Sequence, residues 1–135
     1  MHYDADYSPF PKAWLALDDA ERAAAIAAHH DDLDDALHDA TMPSHLHVRM
    51  HLAVETQAAE ELPCVVRTLT RLTGEGVRRH AALHMIMGAL TECFAAMAVN
   101  HEPFDQEAYA AKLDALDAAT WIGQRMRRDL GPLDP

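Results

Sequence analysis

The chain has 135 residues, half of them apolar and many of them Ala, with only five Gly and seven Pro. That balance fits one domain, large enough to bury its own core, and favours helices. The formal net charge of −11, with ten His counted as neutral, excludes the basic footprint that nucleic-acid phosphates require and the Lys/Arg-rich surface that anionic lipid attracts.

Residues 1–11 read as an irregular lead-in containing Pro9 and Pro11. Its acidic residues stand where a signal peptide would carry positive charge, and no apolar run reaches membrane-spanning length, so a cytoplasmic bacterial protein is expected. Residues 12–17 then form a short turn that buries Trp14. Asp18 with Glu21 makes a capping-box variant opening a helix over about residues 19–38. The apolar stripe of that helix, Ile26, His30, Leu33 and Leu37, places His30 among inward positions and leaves Asp31, Asp32 and Asp35 outward.

Thr41 and Ser44, on either side of Pro43, can cap a second helix that carries His47, His51 and Glu55 to about residue 61. Pro63 opens a shorter helix with Cys64, Val65, Leu69 and Leu72 on its inner side, which Gly74 and Gly76 end. The next helix, about residues 77–99, has inward spacing Val77, His80, His84, Met87, Thr91 and Phe94. Residues 100–103 break it, and Asp105 caps a last helix over about residues 106–129, ahead of a 131–135 tail. The expected architecture is a single all-α domain, a bundle of about five helices. Cys64 and Cys93 stand in neither a Cys-x-x-Cys nor a zinc-ribbon spacing and read as core thiols in a reducing compartment. The Arg pairs 67/71 and 78/79, and Arg125, Arg127 and Arg128, read as solvated helix faces.

The chemistry lies in the two His pairs. Residues four apart project from nearly the same side of a helix, so His47 with His51, and His80 with His84, can each aim two imidazoles at one point. Buried imidazoles need partners for both ring nitrogens, and a divalent cation accepts several neutral imidazoles together with a carboxylate. Metal binding by His47, His51, His80 and His84 is therefore expected, the cofactor being a divalent transition metal, Zn or Fe, in a site of one or two ions. Glu55, four residues after His51, is the natural carboxylate ligand; its competing role is a salt bridge. Glu92 is a further candidate, as ligand or as acceptor for an imidazole N–H, and His30 joins the set from the first long helix, where Asp34 shares the ambiguity of Glu92. Gln57 reads as a hydrogen-bonding neighbour, and His2, His29, His38, His45 and His101 as surface residues.

The segment from Leu46 to Gln57, with its His-x3-His-x3-Glu-x-Gln pattern, followed by the His80-x3-His84 pair, resembles the signature of small bacterial proteins catalogued as domain of unknown function 1841. The lead-in from Trp14 to Leu17, His30 and Glu92 fit the same pattern, which spans roughly residues 14–116. The resemblance implies that the His pairs matter and brings no activity with it. More loosely, His30, then His51 with Glu55, then His80 with His84, is similar to the ligand order of hemerythrin-like di-iron bundles, although their final His-x4-Asp has no counterpart, since Gln106 stands five residues after His101. Two other function classes compete with the metalloprotein. One is a non-catalytic structural or interaction module whose His-rich polar core lies inside the fold or at a homodimer interface, since Ala-rich helices pack closely. The other is a metal-free enzyme with His as general base, ranked last because neither a Ser nor a Cys nucleophile stands at motif spacing and there is no phosphate-binding loop. The small-molecule ligand, if any, stays unnamed at this level.

Overall fold

The structure is a computed structural model; it describes residues 2–31 and 44–119, with the side chains of residues 30, 31 and 44 outside the description. Six helices follow one another there: α1 Pro11–Ala16, α2 Asp19–Asp31, α3 Ser44–Ala59, α4 Pro63–Gly74, α5 Arg79–Asn100 and α6 Gln106–Asp114. The all-α expectation is met, with no strand among the described residues.

Local chemistry accounts for most boundaries. Asp18 accepts from the Glu21 backbone N–H at 2.8 Å while the Glu21 carboxylate accepts from the Asp18 N–H at 3.1 Å, which closes the capping box ahead of α2. Asp105 accepts from the Ala108 N–H at 3.0 Å and starts α6. Pro11 and Pro63 occupy the first turns of α1 and α4, where a missing N–H costs nothing. After Gly74 the chain turns through Gly76 at φ +96°, a left-handed backbone that a Cβ would strain, and the Val77 N–H returns to the Leu72 carbonyl.

α5 is the hub, packing against α3, α4 and α6, while α1 and α2 pack against α3. Sequence spacing suggests a single inward stripe for α5. The helix instead buries ten residues over most of its circumference, Leu83, Met85, Ile86 and Leu90 among them, and leaves Phe94 partly exposed. Neighbours on several sides require apolar residues all round. By length and composition α5 is also long and apolar enough to cross a membrane, contrary to the sequence expectation. Trp14 is fully buried, as expected, and its indole N–H donates to Thr56 Oγ1 at 3.2 Å. Both Cys are buried free thiols.

The last helix is interrupted within the span its sequence suggests, since residues 115–117 are non-helical and residues 118–119 are helical again. α6 stops at Asp114 because Arg71, reaching across from α4, donates to the carbonyls of Leu113 at 3.0 Å and Leu116 at 2.6 Å, which a continuing helix would have used itself. Arg71 is thus a cap rather than a solvated charge. The stretch expected to be helical beyond residue 119, the outer part of the first long helix and the caps Thr41 and Ser44 lie outside the described residues or side chains.

Candidate metal centre

α3 carries a buried stripe of His47, Met50, His51, Val54 and Glu55, the i, i+3/i+4 pattern of one helix face. Opposite it, α5 presents His80 and His84. The rings interleave: His47 and His84 centroids are 4.8 Å apart, His80 and His84 4.5 Å, His51 and His80 5.6 Å, and His51 and His84 5.7 Å. One ligand atom each from His47, His51 and His84 lies within 4.8 Å of the other two. Two imidazole nitrogens on a tetrahedral zinc, with bonds of ~2.0–2.1 Å, sit about 3.3 Å apart. A single ion would draw the three nitrogens together from the separation they have here. His51 is fully buried and His47 is 9% exposed, so the imidazoles point into the fold.

Glu55 is also at this place, and fully committed elsewhere. Its Oε1 accepts from Arg79 Nη2 at 2.5 Å, and its Oε2 accepts from Arg79 Nη1 at 3.0 Å and from the Tyr3 hydroxyl at 2.5 Å. With Glu55 1% and Arg79 12% exposed at the side chain, this is a buried bidentate ion pair. Burial lowers the affinity of Arg79 for its proton, but hydrogen bonding to Glu55 and the charge of Glu55 more than reverse this and hold the guanidinium above its ordinary value. Burial, and then the charge of Glu55, push the Tyr3 phenol well up. Glu55 therefore serves the salt bridge that competes with ligation in the sequence reading, buried rather than superficial, and Arg79 is no solvated charge.

The lead-in belongs to the centre. Tyr3 and Ala5 are buried against the His cluster. Arg79 Nη1 donates to the Ala5 carbonyl at 3.1 Å, Arg78 pairs with Asp6, and Asp6 Oδ1 accepts from the His80 N–H at 3.2 Å. Burial raises the Asp6 carboxyl, but Arg78 and that backbone N–H outweigh it and leave the group below its ordinary value.

α2 contributes His29, which sequence reasoning places at the surface. Its ring centroid is 5.3 Å from His80 and 5.5 Å from Tyr3, and its Nε2 accepts from the Ala5 N–H at 3.3 Å. His29 shares the buried face of Ile26 by the i, i+3 rule, whereas the sequence reading followed i, i+4 to His30; the His30 side chain lies outside the described ones, as does Asp34. Glu92 is not brought to the centre. Two turns and more beyond His84, it is rotated by roughly 80°, stands exposed on α5 and accepts from Lys112 Nζ at 3.0 Å. Glu92→Ala is accordingly expected to leave metal uptake unchanged and stability within ~0.5 kcal/mol, as equilibrium dialysis and thermal melts would show. Gln57 does act as a hydrogen-bonding neighbour, its Oε1 accepting from the buried Tyr109 hydroxyl at 2.7 Å. His2, His45 and His101 are exposed, as expected.

Fold and centre together define an all-α domain with a histidine cluster buried between two core helices and closed by the segment that precedes the first helix. The chain belongs to the family described as Domain of unknown function (DUF1841), whose model matches residues 20–115. Neither the curated proteins nor the solved structures contain a match to it.

Proposed function

We propose that this protein binds a divalent transition metal between α3 and α5 through His47, His51 and His84, with the His80 and His29 rings packed beside that trio. The observation that carries the reading is the approach of three imidazole ligand atoms, from two helices and inside the fold, to within 4.8 Å of one another. The trio is all nitrogen, and the nearby Glu55 is held by Arg79 and Tyr3. An imidazole set of this kind suits Zn before Fe, since non-haem iron sites usually add a carboxylate. Three imidazoles leave a coordination position open to solvent or a small ligand, which is the arrangement of a working site rather than a sealed structural one.

Elemental analysis of protein purified without a His tag, before and after anaerobic incubation with Zn(II) or Fe(II) and desalting, tests the reading. About one equivalent of bound metal per chain is expected. Less than about a tenth of an equivalent of any transition metal, with no uptake on reconstitution, would overturn it, because protein-held sites of this kind bind strongly.

A further inference from the structure

The Tyr3 hydroxyl has one proton to give. Its contact with the Glu55 carboxylate, 2.5 Å from Oε2, takes that proton, because an ionised carboxylate held by Arg79 has nothing to donate back. The same oxygen lies 2.8 Å from His51 Nε2. Having given its hydrogen to Glu55, the hydroxyl can only accept there, so the Nε2 atom carries the hydrogen. A neutral imidazole has one N–H, which leaves the lone pair of His51 on Nδ1.

We infer that Tyr3 is a positioning residue that locks His51 in the Nε2–H tautomer and makes Nδ1 its metal-binding atom. The inference rests on the metal-binding reading above and extends it. The chain runs from the Arg79 guanidinium through the Glu55 carboxylate and the Tyr3 hydroxyl to His51 Nε2–H. It does what a carboxylate does when bonded directly to a zinc-bound histidine: it fixes the ring's orientation and raises the basicity of the ligating nitrogen. Here a phenol is interposed, and it comes from a segment 48 residues away along the chain. This gives the buried Arg79–Glu55 pair, beside the imidazoles yet outside the coordination set, a function at the centre. It also accounts for the anchoring of the lead-in, which Arg79 grips at the Ala5 carbonyl and Arg78 grips at Asp6. Every partner in the relay is buried or nearly so, so water does not compete for the Tyr3 hydroxyl.

The test uses the full chain labelled with 15N. Two-bond 1H–15N correlation of the histidine rings, in metal-free protein and after addition of Zn(II), is expected to give His51 a pyrrole-type Nε2 and a pyridine-type Nδ1, with Nδ1 the nitrogen whose shift moves when zinc binds. Chelator competition is expected to show Zn(II) bound 10–100-fold more weakly by Tyr3→Phe, which keeps the ring and removes the relay, and the His51 tautomer is expected to become mixed. A pyrrole-type Nδ1 in the wild-type protein, zinc on Nε2, or zinc affinity in a folded Tyr3→Phe protein within twofold of wild type would overturn the inference while leaving metal binding intact. Absence of zinc uptake by the wild-type protein would overturn the metal reading and this extension of it, and the tautomer of the metal-free protein would then report the relay alone. If Tyr3→Phe fails to fold, the wild-type spectra decide.

Discussion

Replacing Arg79 with Met is expected to cost about 3–5 kcal/mol of stability, a fall in Tm on the order of 10 °C for a chain of this size. Arg79 supplies two of the hydrogen bonds to Glu55, and Glu55 is 1% exposed. Without Arg79 the carboxylate is left in the interior with only the Tyr3 hydroxyl, and the full desolvation cost of an unpaired charge falls on the folded state. The double replacement Glu55→Leu with Arg79→Met removes both charges and is expected to recover most of the loss, since a buried ion pair is often no more stabilising than apolar residues of similar volume. Urea melts of the wild type, the single variants and the double variant form the cycle that measures this. A double variant as unstable as the sum of the singles would mean that the pair does not act as a unit. The same variants separate stability from function: the double variant is expected to fold and yet bind Zn(II) more weakly, because the relay to His51 has lost its far end.

The parts of this centre that the sequence makes legible are those written in helical periodicity. His47 and His51 on one helix, and His80 and His84 on another, need only the i, i+4 rule to be placed on facing stripes, and their flanking apolar residues show that the stripes face inward. Glu55 is legible as a member of the stripe but not in its role. A carboxylate among Met50, His51 and Val54 demands a counter-charge, and Arg79 stands next to His80; a reading of the Arg clusters as solvated helix faces hides that pairing. His29 is hidden by a one-residue ambiguity, since positions 29 and 30 lie three and four residues after Ile26 and either can share its face. Tyr3 left no signal. Its segment has no period, its partners lie 48 and 52 residues away, and only the folded backbone brings it over α3.

Helix ends show the same division. Where a cap is local, as with Asp18 and Glu21 or with Asp105, the sequence predicts it to the residue. The break after α6 coincides with Arg71 from another helix, a tertiary contact that local propensity does not foretell. For α5 the apolar residues exceed what one stripe needs, and the excess is what a helix surrounded by α3, α4 and α6 requires.

Zinc at a hundredfold excess over its dissociation constant is expected to stabilise the wild-type protein by about 2.7 kcal/mol, a rise in Tm on the order of 10 °C, and His84→Ala is expected to abolish that rise. His84 is the member of the trio that comes from α5, while His47 and His51 both sit on α3. With all three imidazoles the ion ties two core helices together, and its binding energy appears as resistance to unfolding. Without His84 the remaining pair is a two-point chelate on a single helix turn, and the affinity is expected to drop by at least ~100-fold, more than the loss of a supporting hydrogen bond produces. His101→Ala, at an exposed position past the end of α5, is the control and is expected to keep the full zinc-dependent rise. Differential scanning calorimetry with and without Zn(II) reads all three proteins. A zinc-dependent rise in His84→Ala equal to that of the wild type would show that His84 does not hold the ion and would overturn the trio of His47, His51 and His84.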